Sequence, residues 1–491
     1  MMGVQEQPQS SLFHFGVNLD KRIRNNHPLR KVNELIDFRF VYKEVKKYYG
    51  HNGNESVPPP VILKLMLLLV YYNVRSEREL METLPERMDW LWFLGYELDS
   101  TIPNHSVLSK ARKKWGVDVF KSFFERIVLQ CVQAGLVDGS KIFVDSSLID
   151  ANASNNSVID TKNLKHQLHE NYKKLEARLE DGSESTDASR NYEKKNNRYI
   201  SSTDPDAAIV NRGKPKLSYQ VHRAVDGNNE VITATDAASG DINEAHLMLP
   251  LLEKHEATTG IKADTVVADS KYGTIDNYLA CLDLGVKAHI PNLGKATRKR
   301  IAKLNIFPDD QFQYDPLSDT YCCPAGNSLK RKSLHMQRES SDYGAPKKVC
   351  AACEMREQCT KNKSGRTVKR HLRQDELNVM RERSQSVEAK RDIKTRQHLM
   401  ERSFARSTRY DFDQARWRGL WKMKIQEYLT CAIQNIQTLI RHGSKPKPAA
   451  VAVEIKVNQI VKTKAKATIM SQIEAVFWSL GLNYRLFYQR A

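Results

Sequence analysis

Apolar residues in the first third of the chain recur at three- and four-residue spacing, the period of helices that pack by one face. Segments 29–49, 59–72, 76–84, 89–94, 106–115 and 117–134 carry that period and are separated by turn residues. Pro58, Pro59 and Pro60 suit a helix start, and Ser76 with Glu79 three residues on forms a capping pair. The most apolar run, 61–72, is broken by Lys64 and is far shorter than the roughly 20 residues that cross a bilayer. It predicts a buried helix and no membrane partner. Tandem helices can include a helix-turn-helix, but they build any helical domain, so the pattern alone leaves DNA reading by this part open.

From Gly139 the period changes. Residues 141–145 read as a short apolar strand ending in Asp145, and 217–224 and 230–237 flank Asp226-Gly227-Asn228-Asn229 as a hairpin. A helix over 243–255, a strand over 265–269 ending in Asp269, a helix over 275–284 and a strand over 286–290 follow. Three strands, helix, strand, helix, strand predicts an α/β fold with a ribonuclease H-like mixed-sheet core, completed by a helix at 387–407 that carries Glu401. A polar insertion at 161–197 separates the first two strands, and 291–389 interrupts the α/β pattern. After a last helix at 420–441, residues 444–448 read as a linker to a small C-terminal segment whose 473–480 can dock as a helix. The expected divisions are an all-α N-terminal domain at 12–135, the core at 139–295 plus 385–442, a cysteine-rich insertion at 296–384, and the tail at 443–491.

Length and charge sharpen this outline. With 491 residues, 40% hydrophobic and 27% charged, the chain can build two or three cores and is not a disordered polymer. Residues 1–11 show no basic-then-apolar leader, which predicts a cytoplasmic protein. The formal charge is +19, but residues 1–290 carry 37 basic and 39 acidic side chains, whereas 291–450 carry 34 and 17. The excess therefore lies in the last two-fifths, as in a module that binds a polyanion; a solvated basic surface is the plainer alternative.

Two aspartates ending neighbouring strands would lie at one sheet edge and repel unless a cation sits between them. Mg²⁺ favours such hard oxygen ligands, and a pair of metals so held serves phosphoryl transfer. The plainer reading is that Asp145 and Asp269 cap the following turns. Candidates for a third carboxylate are Asp150, Asp204, Asp206, Asp236, Glu244 and Glu401. Asp204-Pro205-Asp206 reads better as a turn, and Glu244 as a helix cap. Separately, Cys350-x-x-Cys353, Cys359 and the upstream Cys322-Cys323-Pro324 offer four thiolates for a structural Zn²⁺ in a zinc-ribbon-like insertion. Pro324 and Gly326 suit a tight turn, which favours Cys323 over Cys322. Cys131, Cys281 and Cys431 fall on apolar helical faces and read as buried free thiols.

Several segments, in order, resemble one family. Residues 144–154 (VDSSLIDANAS), 202–207 (STDPDA), 268–273 (ADSKYG) and 401–405 (ERSFA), with Arg418-Gly419-Leu420 and Asn435 beyond, are similar to the catalytic segments of DDE transposases of bacterial insertion sequences. Residues 75–80 (RSEREL) and 103–108 (PNHSVL) resemble the helical domain of the branch that also has a cysteine-rich insertion before the catalytic glutamate. The resemblance spans about residues 13–441. It implies that Asp145, Asp269 and Glu401 hold Mg²⁺ or Mn²⁺, and that the protein cuts DNA at an element's ends and joins the freed 3′ hydroxyl to target DNA. It also implies double-stranded partners, namely terminal inverted repeats and target DNA, a homo-oligomer on DNA, and a bacterial, nucleoid-associated location.

The chain departs from the family where relatives carry a tyrosine seven residues and an arginine four residues before the glutamate, and a lysine seven after. Here Lys394, Gln397 and Thr408 stand at those positions, with Arg396, Arg402, Arg406 and Arg409 close by to take phosphate contacts. Lys271 and Tyr272, just after Asp269, are further candidates to touch the scissile strand. The competing outcomes are a transposase-derived DNA-binding protein without catalysis and a nuclease that cuts without joining.

Overall fold

Every residue from Pro59 to Val70 is buried, so this helix presents no polar side and sits at the centre of the N-terminal helices. The structure, a computed structural model, describes residues 2–3, 18–51, 54–160, 199–292 and 306–442. The expected features of 161–197 and the tail beyond 442 lie outside those residues. The first part comprises α1 (Leu19–Arg22), α2 (Pro28–Leu35), α3 (Phe40–Val45), α4 (Pro59–Tyr71), α5 (Glu77–Thr83), α6 (Met88–Leu94), α7 (Ser106–Trp115) and α8 (Asp118–Gln133). The Ser76 cap forms as expected, its hydroxyl accepting from Glu79 N at 3.1 Å. The single helix expected over 29–49 does not form: α2 and α3 are separate, followed by a 3-10 turn at Lys46–Tyr48. Asp37 breaks it. Its Oδ1 accepts from Arg39 N and Arg39 Nε, both at 3.0 Å, a local turn that competes with helical hydrogen bonding.

Lys64 is accommodated inside this core. Its Nζ donates to Phe93 O at 2.7 Å and Asn33 Oδ1 at 2.9 Å and lies 4.8 Å from the centroid of the Phe93 ring. Among the described residues no carboxylate neutralises it, and burial pulls its pKa down to about 8. The unfolded chain, with an ordinary lysine, then binds more protons between about pH 8 and pH 10.4, so stability should rise with pH across that window. The difference in thermal midpoint between wild type and Lys64→Met, followed from pH 7 to 10, should narrow as pH rises; a constant difference would count against a strained buried charge.

The central sheet is mixed. Its strands are β1 (Lys141–Asp150), β4 (Ala208–Arg212), β5 (Lys214–Asp226), β6 (Ile232–Ser239), β7 (Thr265–Val267) and β8 (Lys287–His289), while β2 (Val158–Asp160) and β3 (Tyr199–Ser201) pair apart from it. The order is β4-β5-β1-β7-β8 with β6 also on β5; β5 runs antiparallel to β1, β4 and β6, and β7 and β8 run parallel. The expected hairpin and later strands are present. A 3-10 turn (Glu244–Leu247) leads into α9 (Met248–Thr259), and α10 (Ile275–Asp283) joins β7 to β8.

The insertion forms an antiparallel sheet of β9 (Gln313–Asp315), β10 (Thr320–Cys322), β11 (Ser328–His335), β12 (Ser340–Gly344) and β13 (Thr367–His371), with α11 (Lys347–Ala351) and α12 (Arg356–Cys359) between the last two. Then come α13 (Gln374–Arg383), α14 (Val387–Thr408) and α15 (Leu420–His442).

Alternation along β1 assigns its side chains to two cores. Ile142 and Val144 join Met248, Leu251, Tyr278 and Leu377, whereas Phe143 joins Val225, Val267, Leu399, Met400 and Ile433 in a core that continues into the N-terminal helices. Asp145 therefore shares the face of Phe143, the one α14 covers. On the neighbouring strand Arg223 pairs with Asp145 in register and is fully buried. Arg223 grips Glu427 of α15 with Nε–Oε1 at 2.7 Å and Nη2–Oε2 at 2.9 Å, and its Nη1 reaches Ser407 Oγ at 2.8 Å and Ser403 O at 3.2 Å on α14. One guanidinium thus fixes both covering helices against the strand beside Asp145.

Candidate active site

The strand bearing Asp145 does not stop there, as the sequence suggested, but continues to Asp150 because β5 pairs with it along that whole length. On the other side β7 pairs only as far as Phe143↔Val267. Asp145 and Asp269 each stand two residues beyond that last pair, so they lie abreast where the two parallel strands part. Asp269 also caps the 3-10 turn Ser270–Tyr272, its Oδ1 accepting from Lys271 N at 2.8 Å. Capping and site-building are thus compatible here. Burial raises the Asp145 pKa above the usual carboxylate range; the negative charges of Asp269 and Glu244 add to this, and Arg396 and the Ser146 N–H oppose it. Arg396 Nη1 lies 2.5 Å from Asp145 Oδ2, and its Nε is buried without a hydrogen-bond partner.

Glu401 is placed differently. Arg396 points α14 toward Asp145, and five residues on, at 100° per residue, Glu401 lies about 140° around the helix. It is exposed, and its Oε1 accepts from Gln397 Nε2 at 3.2 Å. The structure thus brings Asp145 and Asp269 together and leaves Glu401 on the outer face of α14. Glu244 is linked to both aspartates without closing to the 4.8 Å spacing of a ready metal group: its Oε1 takes Lys271 Nζ at 2.5 Å, and its side chain bonds Ser146. Burial works against its charge, but Lys271 and Ser146 outweigh that and hold its pKa below the usual value.

The other carboxylates have structural work. Asp204 accepts from Tyr219 Oη at 2.6 Å and Gly419 N at 3.1 Å, and Asp206 accepts from Leu420 N at 2.8 Å, so this turn seats the start of α15. Asp236 sits between Lys254 (2.6 Å) and Lys424 (3.1 Å), and Asp150 pairs with Lys216 at 2.5 Å. His289, Glu388 and Asp392 form a close group of metal-ligand type, yet Lys141 Nζ already lies 2.8 Å from Asp392 and 3.7 Å from Glu388.

Of the six expected DNA contacts, Arg396 is drawn to Asp145, Tyr272 is fully buried and three more are engaged within the protein. Lys271 holds Glu244, and Arg402 and Arg406 both hold Glu230 at 2.6 Å; Arg409 is exposed. What the sequence did not reveal is the polar patch behind the aspartates, where Gln220 and His222 are buried on β5 and Gln220 Nε2 donates to Ser146 Oγ at 3.0 Å. Its one signal was a run of polar residues at alternate positions of the strand, Ser218, Gln220 and His222.

In the insertion, Cys323, Cys350, Cys353 and Cys359 line one pocket, and Cys322 is exposed outside it. Gly326, at φ +75°, closes the turn that lets Asn327 N approach Cys323 Sγ at 3.3 Å. That turn faces Cys323, and not Cys322, toward the other three thiols. Burial raises the Cys359 thiol, with Cys323, Cys350 and Cys353 adding to the rise. Cys131, Cys281 and Cys431 are buried free thiols.

Among the described residues no helix is long and apolar enough to cross a membrane. Residues 17–114 match the family described as Transposase domain (DUF772), and residues 322–440 match the family described as Transposase DDE domain. No curated protein matches the chain. A segment similar to a transposase N-terminal domain, followed on the same chain by one similar to a transposase DDE domain that includes Glu401, supports a DDE transposase of the insertion-sequence type.

Proposed function

We propose that this protein is a DDE transposase that cleaves DNA at the ends of its element and joins the freed 3′ hydroxyl to target DNA, using divalent metal held by Asp145 and Asp269 and, once α14 turns its outer face toward them, by Glu401. The observation that carries the reading is the pair of aspartates abreast on parallel β1 and β7, under a helix that carries Glu401. The donor set fits Mg²⁺ or Mn²⁺: hard carboxylate oxygens, crowded enough to repel, with Arg396 already drawn to one of them. When bound, the metal would lower the pKa of a water or hydroxyl nucleophile and stabilise the leaving oxygen. Asp145 and Asp269 would orient it, and Arg396, whose Nε lacks a partner, would turn from Asp145 toward a phosphate oxygen. Arg402, Arg406, Arg409 and Lys271 would exchange their internal partners for phosphates, which adds position and affinity but no sequence reading.

The strand order, antiparallel on one side of β1 and parallel on the other, supports a ribonuclease H-like core with the N-terminal helices packed on its α14–α15 layer. The four thiols facing one pocket support a structural zinc in the insertion. Purified protein should contain about one zinc per chain, and a strong chelator should unfold 306–371 while sparing the core. Metal analysis that finds none would discard the zinc. We further propose double-stranded partners, the inverted repeats and target, with a homo-oligomer assembling on them near the nucleoid.

The outward Glu401 is the one observation that favours the second reading, binding without catalysis. Strand cleavage of inverted-repeat DNA with Mg²⁺ separates the two: Asp145→Ala, Asp269→Ala and Glu401→Ala should each lose it. Cleavage that persists in all three would sink the assignment, and specific binding without any wild-type cleavage would favour the second reading.

A further inference from the structure

We infer that Glu244 is a cation-holding carboxylate of the same site, latched by Lys271 until a divalent cation arrives. This rests on the reading that Asp145 and Asp269 hold metal. Glu244 is tied to each aspartate through one intervening residue. Lys271 gives its ammonium to Glu244 Oε1 at 2.5 Å and its backbone N–H to Asp269 Oδ1 at 2.8 Å. Ser146 bonds the Glu244 side chain and gives its backbone N–H to Asp145 Oδ1 at 2.8 Å.

The backbone holds this arrangement in place. Asn243 Oδ1 accepts from Ala245 N at 3.2 Å and caps the turn that Glu244 opens. Asn277 Nδ2, buried, donates to Ala245 O and to Tyr272 O, both at 2.9 Å, and so clamps the Glu244 turn to the one that follows Asp269. Glu244 can therefore hold its position without Lys271.

Two buried polar atoms on the Glu244 side of the sheet have no hydrogen-bond partner among the described residues. Gln220, 2% exposed, spends its amide nitrogen on Ser146 Oγ, and its Oε1 is buried with no partner. His222 Nε2, on the same strand and fully buried, also has none. Buried polar atoms are rarely left so, and two beside one carboxylate group mark a place where water or a hydrated ion belongs. The carboxylates meanwhile draw on side-chain cations, Arg396 on Asp145 and Lys271 on Glu244. The Lys271 side chain is half exposed, and an ion pair so open to solvent is weak enough to yield to a divalent cation. Once freed, Lys271 stands one turn from Asp269 with its charge available to a DNA phosphate.

The test is Mn²⁺ binding to the full chain without DNA, read from the loss of the free-ion electron paramagnetic resonance signal. Glu244→Gln keeps the side-chain shape and the Ser146 bond, and should weaken Mn²⁺ binding at least about tenfold. Lys271→Ala, a surface change that spares the fold, should tighten it several-fold. Wild-type affinity in Glu244→Gln, with binding lost in Asp145→Asn, would overturn the role of Glu244 and leave the aspartate reading intact. Unchanged affinity in Lys271→Ala would overturn the latch. Wild-type affinity in Asp145→Asn would instead remove the aspartate reading, and this inference with it.

Discussion

Asp145→Asn and Asp269→Asn should each reduce Mg²⁺-dependent strand cleavage by far more than the roughly 10- to 100-fold that loss of an outer-shell partner costs, while DNA binding stays within about twofold of wild type. The asymmetry follows from where the charges sit. The aspartates belong to the near-neutral part of the chain, and the basic excess lies beyond residue 290, so removing one carboxylate takes nothing from phosphate affinity. The acid limb of the cleavage profile carries a second signature. Burial raises the Asp145 pKa, and only its charged form binds metal, so activity should fade on acidification at a higher pH than an ordinary aspartate would set. Arg396 opposes that rise; Arg396→Gln should therefore move the limb further up, visible in a pH–rate series. A limb unmoved in this variant would mean that Arg396 does not act on Asp145.

Glu427→Gln should cost about 3–5 kcal/mol of stability in urea unfolding, the scale of a buried charge left without its partner. Arg223 is fully buried and Glu427 is 1% exposed, so water cannot replace the lost carboxylate. Thr235 Oγ1 donates to Glu427 Oε1 at 2.6 Å, and the Arg223 guanidinium lies 4.8 Å from the Phe404 ring and 5.3 Å from that of Phe412, so the pair is walled on every side. Replacing both at once, Arg223→Met with Glu427→Leu, should recover most of the loss, since two apolar side chains leave no charge stranded. A cost below about 1 kcal/mol for Glu427→Gln would show that solvent reaches the pair. The same bonds set α14 against the strand of Asp145, so the double variant should fold yet cleave poorly.

Period and punctuation made most elements legible. The turn residues Asp226-Gly227-Asn228-Asn229 between 217–224 and 230–237 marked the hairpin, and the apolar run interrupted only by Lys64 marked α4. The misses share a cause, a polar side chain acting over a few residues or across the sheet. Asp37 split one helix by bonding Arg39, and no periodicity reports that. The first strand ran five residues past its apolar part because β5 continued to pair with it, a long-range fact absent from the local pattern. At the site, strand position was enough to bring Asp145 and Asp269 together, but helix phase decided the rest. Glu401 and Arg396 share one helix, and only packing tells which of them faces the aspartates. Glu244 read as a helix cap because the residue that caps, Asn243, stands directly before it.

Cleavage and joining are tested together by following one end-labelled strand. Double-stranded DNA carrying the element's terminal inverted repeat, incubated with wild-type protein, Mg²⁺ and a supercoiled target plasmid, should yield a nick at the repeat's 3′ end and then labelled plasmid joined through that hydroxyl. Both products should disappear with Asp145→Asn. A repeat that is bound specifically but left uncut, under conditions where Mg²⁺ is shown to bind the protein, would contradict a transposase that cuts and joins.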